Sequence, residues 1–572
     1  MLTVDGRMKT VLNLLAVLAF LCCGMLMIPQ VQAAILDVGG RLIPGRNWNY
    51  AVWTGNISAF SLAAIICLGV YLVLQLKRLR AFFEKYGGKI RIVIPIAIIA
   101  ISIIVRIVMY AKGRSLWLDE ALLVESIASR SWSELLAHPL SNGQSAPLLY
   151  VVTVKAICSV LGYSEFSLRI FSFISFIGLL ICEWILLRKH LKFDNTKTAF
   201  ILTITAVLPT YVYYSNESKP YMCDAFFVIL TILLYHIYIQ KKLSIIALTV
   251  FYSLISAFCS PSIFFIGGIL ASEFFAAVFA KNKKLALSVL ISGAAILAVF
   301  YLYFRWWMLP ALEFMTEYWG EYGAKRNPVT AIMAIFSPGL LASNALIWIF
   351  VPFALRGVYL LIKSKDKAAY SVALSVLFAF LASFMGKWPL IGRLWLFLPA
   401  LVLTFSLVGL DFGSKSAKKI TNIAGLCLCS IIAVYYAISC VEKVKDRIYL
   451  DKQEVNPLIF YVKEHIKNDE YLYVYSPAQY TLKFKNGYTT GRIGNSDKDN
   501  IIYGVSTAEW NDTALALGTE LDTIIKSRNA YLLFQHHRAG IDPGLSVLRK
   551  YGTVTEILNY HDTPLLYFRA QE

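Results

Sequence analysis

Acidic residues are scarce in this sequence, and charge of either sign is thin. The 572 residues include 35 Asp and Glu against 54 Lys and Arg, and charged side chains make up only 16% of the chain. With 58% hydrophobic residues and so little charge, a water-soluble fold of this length is excluded. The ten cysteines lie in or beside apolar runs (Cys22, Cys67, Cys182 and Cys427 among them), and none follows Cys440. They have neither zinc-type spacing nor the look of a disulfide framework, and read as small buried hydrophobes. No Walker-type phosphate loop occurs. The one Asp-x-Asp triplet, Asp497-Lys498-Asp499, is poor material for a nucleotide-sugar metal site. Internal repeats and low-complexity tracts are lacking too, which disfavours a transporter built from duplicated halves.

What the chain does have is long apolar runs separated by small basic clusters. The net charge of +19 is carried largely by groups such as Lys77, Arg78, Arg80, Lys85, Lys89 and Arg91, then Arg188, Lys189, Lys192 and Lys197. Others are Lys241 and Lys242, then Lys281, Lys283 and Lys284, then Lys415, Lys418 and Lys419. Such spacing is the positive-inside pattern of a polytopic membrane protein facing anionic lipid, and it excludes nucleic acid as the partner.

Spans are expected near 57–76, 92–110, 166–187, 199–215, 221–240, 243–259, 262–280, 285–304, 344–362, 369–386, 391–410 and 420–440. The parity works if residues 145–163 form a helix lying along the outer surface. The loop at 305–329 then falls outside as an amphipathic surface segment. Residues 1–34 read as a signal-like or anchor helix, 35–89 as an extra span with linkers, and 90–440 as the transmembrane catalytic domain. From 441 to 572 the composition turns hydrophilic, with strand patterns at Tyr471-Leu-Tyr-Val-Tyr, Ala530-Tyr-Leu-Leu-Phe and Pro564-Leu-Leu-Tyr-Phe and a helix over Asn456 to Lys467. That is an extracytoplasmic α/β domain.

Four segments fall together on the outer face. Asp119 and Glu120 end the stretch Arg114-Ser-Leu-Trp-Leu-Asp-Glu just beyond a span. Acids there also suit the N-terminal dipole of a following helix. Tyr213-Tyr-Ser-Asn-Glu-Ser-Lys-Pro-Tyr221 is a very short link that packs Glu217 and Lys219 among tyrosines, where a plain turn would use Gly, Asn and Ser. Arg169 enters the next span in Ser167-Leu-Arg-Ile-Phe-Ser, where snorkelling is the other reading. Lys387 and Arg393 flank the late segment Gly386-Lys-Trp-Pro-Leu-Ile-Gly-Arg. Acids and cations converging at one membrane face suit group transfer, with a base for an acceptor hydroxyl and cations for a leaving phosphate.

In this order the motifs resemble the GT-C class of membrane glycosyltransferases, and are similar to the bacterial protein O-mannosyltransferase and aminoarabinose-transferase relatives. The resemblance covers roughly residues 90–440. It implies a mainly α GT-C-like fold, with about 11 core spans and one or two more before them, and the α/β domain following. The activity it implies is inverting transfer of a sugar from a polyprenyl-phosphate donor to an extracytoplasmic acceptor at the plasma membrane, among membrane lipids. A lipid-linked glycan polymerase or ligase, or a flippase of such lipids, are the alternatives. By resemblance Asp119 is the base with Glu120 beside it, while Arg169, Glu217, Lys219, Tyr221, Lys387 and Arg393 belong to donor phosphate or substrate binding. Arg393 heads the late Arg-x-x-x-x-Leu-Pro segment ending at Pro399. The chain has Ser145-Ala146-Pro147-Leu148 where many relatives carry His-Pro-Pro-Leu, and a divalent metal is not indicated.

Cysteine placed at Asp119 is expected to react in intact cells with a maleimide that cannot cross the membrane. Labelling only after the membrane is broken would put this residue on the wrong side.

Overall fold

The structure is a computed structural model that describes residues 77–311, 350–389, 392–410, 432–442, 444 and 453–571, the last without 489–491, 495–497, 506–512, 538–539 and 561–562. The expected spans at 57–76 and, in large part, 420–440, and most of the loop at 305–329, lie outside the described residues.

The first helix, α1 (Lys77–Lys112), runs unbroken through the basic cluster and the span beyond it. It continues across the domain boundary expected at residue 89, through Gly87 and Gly88 and past Pro95, all of which the helix accommodates. Two short helices follow, α2 (Leu118–Ser129) and α3 (Trp132–Ala137), then α4 (Leu148–Leu161). The 14 residues of α4 span roughly 21 Å at ~1.5 Å each, too little to cross hydrocarbon. Its Lys155 is buried, and its ammonium donates to Ile127 O at 2.8 Å and Arg130 O at 2.6 Å, capping the C-terminal end of α2.

The membrane core continues with α5 (Glu165–Ile185), α6 (Asn195–Val207), α7 (Pro209–Tyr214), α8 (Tyr221–Ile239), α9 (Ile245–Phe258), α10 (Ser262–Phe279) and α11 (Lys283–Tyr303). It closes with α12 (Val351–Lys363), α13 (Lys367–Phe384), α14 (Leu398–Gly409) and α15 (Ile432–Glu442). Among the described residues six helical stretches are long and apolar enough to cross a membrane: 95–112, 165–190, 221–239, 262–279, 283–311 and 367–384. Four shorter apolar helices accompany them, among them α9 and α14. The span expected at 199–215 is instead two helices, since Leu208 leaves the helical region and Pro209 starts α7. Large side chains such as Ile104, Ile181, Val250, Phe275, Leu290 and Leu302 point outward unburied, as lipid-facing residues do and water-facing ones in such numbers do not. The chain is a multi-pass membrane protein.

Close helix packing depends on glycine where α12 meets α14 and where Gly268 of α10 meets the Ser375 backbone of α13. A Cβ on Gly357 of α12 would strike the Phe405 carbonyl of α14, and one on Gly409 would strike that of Phe353, so these two backbones touch directly.

The C-terminal domain contains α16 (Asn456–His465), β1 (Tyr471–Val474), α17 (Gln479–Lys485), β2 (Ile501–Tyr503) and α18 (Thr513–Ile524). After them come β3 (Ala530–Leu533), α19 (Asp542–Leu548), β4 (Gly552–Asn559) and β5 (Pro564–Ala570). The five strands are ordered β2-β1-β3-β5-β4. β1 is parallel to β2 and β3, while β5 is antiparallel to β3 and β4. Alternation along β1 serves both faces: Tyr473 packs with Leu521, Leu532 and Phe568, and Leu472 and Val474 with Leu458, Val462 and Leu565. The three expected strands are present. β2 and β4 are additions, the first only three residues long and the second half-exposed.

Candidate active site

The site is built where the ends of α1, α5, α7 and α8 meet and short connections bring charged groups together. The helix α2 begins there with Leu118, so Asp119 and Glu120 fall in its first turn. Successive residues on a helix point about 100° apart, and the two carboxylates accordingly go separate ways.

Glu120 turns inward and is fully buried. Arg169, near the start of α5, meets it with a two-pronged contact, Nε to Oε1 at 2.8 Å and Nη2 to Oε2 at 2.7 Å. The remaining reach of that guanidinium goes to Arg114 O at 2.7 Å and Ser115 O at 3.1 Å. Arg114 adds a second cation at 3.3 Å from Oε2, and the Ser218 N–H donates to Oε1 at 2.7 Å. Burial pushes the Glu120 carboxyl toward protonation, but Arg169 and Arg114 outweigh it and hold the group well below the ordinary carboxylate range. Tyr110 of α1 donates its hydroxyl to Arg169 O.

Asp119 faces the other way and keeps a quarter of its side chain exposed. Its Oδ2 is 2.7 Å from Nη1 of Arg393, which is equally open. The Arg393 guanidinium lies 5.7 Å from the centre of the Tyr221 ring, and Tyr221 stacks edge-on against Tyr214 at 5.3 Å. Lys219 is nearly buried, and its ammonium donates to Gln144 Oε1 at 2.7 Å. Burial pushes this amine down to about 8; the charges acting on it are Asp119, Arg393, Glu217 and Glu120. Glu217 is buried with an oxygen 3.9 Å from Arg114 Nη2, and its backbone carbonyl accepts from Ser172 Oγ at 2.7 Å.

Seven of the eight residues singled out in the sequence therefore share one neighbourhood. Lys387 stands apart: it is exposed, and its side chain has no hydrogen bond or ion pair to the others among the described residues. Glu120 and Arg169 are brought to the site but turned into its foundation, so the open face is left to Asp119 and Arg393, with Lys219 and Tyr221 buried beside them.

Sequence reading missed three members. Arg114 was visible as the first residue of the very stretch that ends in Asp-Glu. Gln144 carries no signal beyond its place before Ser145-Ala146-Pro147. Arg106 did carry one, a fully buried arginine inside an apolar span; it donates to Ser215 Oγ at 2.9 Å and lies 3.6 Å over the Phe176 ring. No group of three or more His, Cys, Asp or Glu side chains that could hold a metal ion occurs among the described residues.

The fold as a whole is similar to that of a solved structure. ArnT from Cupriavidus metallidurans bound to undecaprenyl phosphate matches with a TM-score of 0.52 at 10% identity, covering 82% of this chain and 97% of that one. The chain has the ArnT fold. That is the GT-C-like membrane glycosyltransferase fold which its motifs resemble. ArnT in the apo state aligns over the same shares at 10% identity with a TM-score of 0.49. No family model matches the chain, and no curated protein matches it in sequence.

Removing either half of the buried pair leaves an uncompensated charge. Glu120→Ala and Arg169→Ala are each expected to cost about 3–5 kcal/mol of stability, read as a lower melting temperature of the purified protein. An unchanged melting temperature for both would contradict the foundation role.

Proposed function

We infer that the chain is a glycosyltransferase of the outer face of the plasma membrane, moving a sugar with inversion from a polyprenyl-phosphate donor to an extracytoplasmic acceptor. The observation that carries this reading is the half-open Asp119–Arg393 pair beside Lys219, at the mouth of apolar helices in an ArnT fold. The undecaprenyl phosphate named for ArnT indicates the class of lipid that would fit.

The chemistry follows from what is open and what is not. Asp119 takes the proton of the acceptor hydroxyl, whose oxygen attacks the anomeric carbon from the side opposite the phosphate. The bond from that carbon to the phosphate oxygen breaks with its electron pair on oxygen, and the lipid phosphate gains one negative charge. Arg393 and Lys219 meet that charge. A double displacement would need a second open carboxylate as nucleophile; Glu120 and Glu217 are both fully buried, which favours a single displacement and hence inversion. In the donor-free enzyme Arg393 is engaged by Asp119, so an arriving phosphate competes for the guanidinium and loosens the base.

Asp119→Asn is expected to lower transfer by at least ~100-fold in membranes supplied with radiolabelled lipid-phosphate sugars, the usual worth of a general base, with insertion and expression intact. Undiminished labelling would reject the assignment. Donor affinity should depend on pH through Lys219. The ammonium is charged below about 8 and is lost above it, so binding weakens as pH rises through that value. In Lys219→Arg that alkaline limb should disappear, because arginine stays charged; a limb of unchanged position would assign it to another group.

A further inference from the structure

The connection that delivers Asp119 to the rim is roofed by the C-terminal domain, and one buried carboxylate makes the central contacts. Glu454 is 2% exposed. Its Oε2 accepts from the Ser115 N–H at 3.0 Å and its Oε1 from Ser115 Oγ at 2.6 Å. The Asn456 N–H adds a third donor at 3.2 Å. Ser115 Oγ in turn accepts from the N–H groups of Val455 at 3.0 Å and Asn456 at 2.9 Å. A carboxylate buried this deeply is costly unless such donors are held in place for it.

The neighbours of Ser115 are held in the same way. Leu116 O accepts from Thr481 Oγ1 at 2.9 Å and Gln535 Nε2 at 3.2 Å. The Leu118 N–H, one residue before Asp119 and at the start of α2, donates to Gln453 Oε1 at 3.2 Å. That N–H is one of the orphan donors every helix leaves at its first turn, so the domain satisfies it from outside. From below, Arg169 holds Ser115 O at 3.1 Å. Ser115 is thus fixed on both sides, four residues before the carboxylate that faces the acceptor.

We propose that Glu454 is a positioning residue for sugar transfer: by fixing Ser115 it sets where α2 begins, and so where the Asp119 carboxylate sits. This rests on the reading of Asp119 as the base. It makes the C-terminal domain part of the catalytic apparatus, since a displacement of about 1 Å in a reacting group can cost ~100-fold in rate.

The test uses the full chain in lipid nanodiscs, with Glu454→Gln removing the charge and Ser115→Ala the hydroxyl of the one side-chain bond between them, Ser115 Oγ to Glu454 Oε1. Turnover per mole of donor-bound enzyme should fall roughly 10–100-fold in each, as expected for a misplaced group. Donor binding itself should stay near the wild-type level. Because the two residues act through one contact, the double variant should be no worse than the poorer single one. Amide exchange in the peptide spanning 113–118 should rise by about tenfold or more when a bond to a charged acceptor is lost. Wild-type turnover with unchanged exchange would overturn the proposal. So would losses that simply multiply, or a loss matched by falling donor binding, which marks a purely structural role. Full activity of Asp119→Asn would instead overturn the base assignment, while the exchange measurement would still report whether Glu454 sets the loop.

Discussion

The charged cluster of this protein hangs on one buried charge, the carboxylate of Glu120. Five donors on three connections converge on it: Arg169 from α5, Arg114 and the Trp117 N–H from the α1–α2 link, and the Ser218 N–H from the loop before α8. A lone carboxylate in such a place would cost several kcal/mol, and the arrangement is stable only because every approach is occupied by a donor. Three chain segments far apart in sequence are thereby set to a common register.

This gives a physical account of two adjacent acids at the end of a membrane helix. The 100° turn between neighbours on α2 lets one residue anchor and the next work. Glu120 is the buried, paired member of the two, and Asp119 the part-exposed one that meets Arg393. The aromatic floor beneath Arg393, formed by Tyr214 and Tyr221, limits how far the opposing cation can swing. Rigid footing under an open ion pair is the condition for two charged groups to hold geometry at a wet surface, where an isolated pair would gain little.

Much of the fold was legible because bilayer thickness imposes length and apolarity on helices, and lipid charge sorts the basic turns to one side. The break at Leu208-Pro209 was hidden inside an unbroken apolar run, since hydropathy reports solvent and not helix continuity. The sheet domain was visible in its three apolar aromatic strands; β4, an edge strand with Thr553, Thr555 and Glu556 half or fully open, lacks the burial that makes a strand readable. Membership of the site was readable too, because charges at a membrane mouth are conspicuous. Division of labour within it was not. Nothing in the order of letters says that Arg169 spends its hydrogen bonds on Glu120 and two backbone carbonyls, or that Gln144 is the partner of Lys219. Such roles depend on the angular phase of α2 and on loops whose paths the side chains alone decide.

The contact between Ser115 and Glu454 joins residues 339 positions apart. A ribosome adding about 5–20 residues per second needs on the order of 20–70 s to travel that distance. Throughout that interval the early helices are already made while the domain that covers their connection has yet to be synthesised. The young chain can bury its early helices against one another, yet the link at Ser115 lacks its partners until residues 453–535 have been made and have closed over what came first.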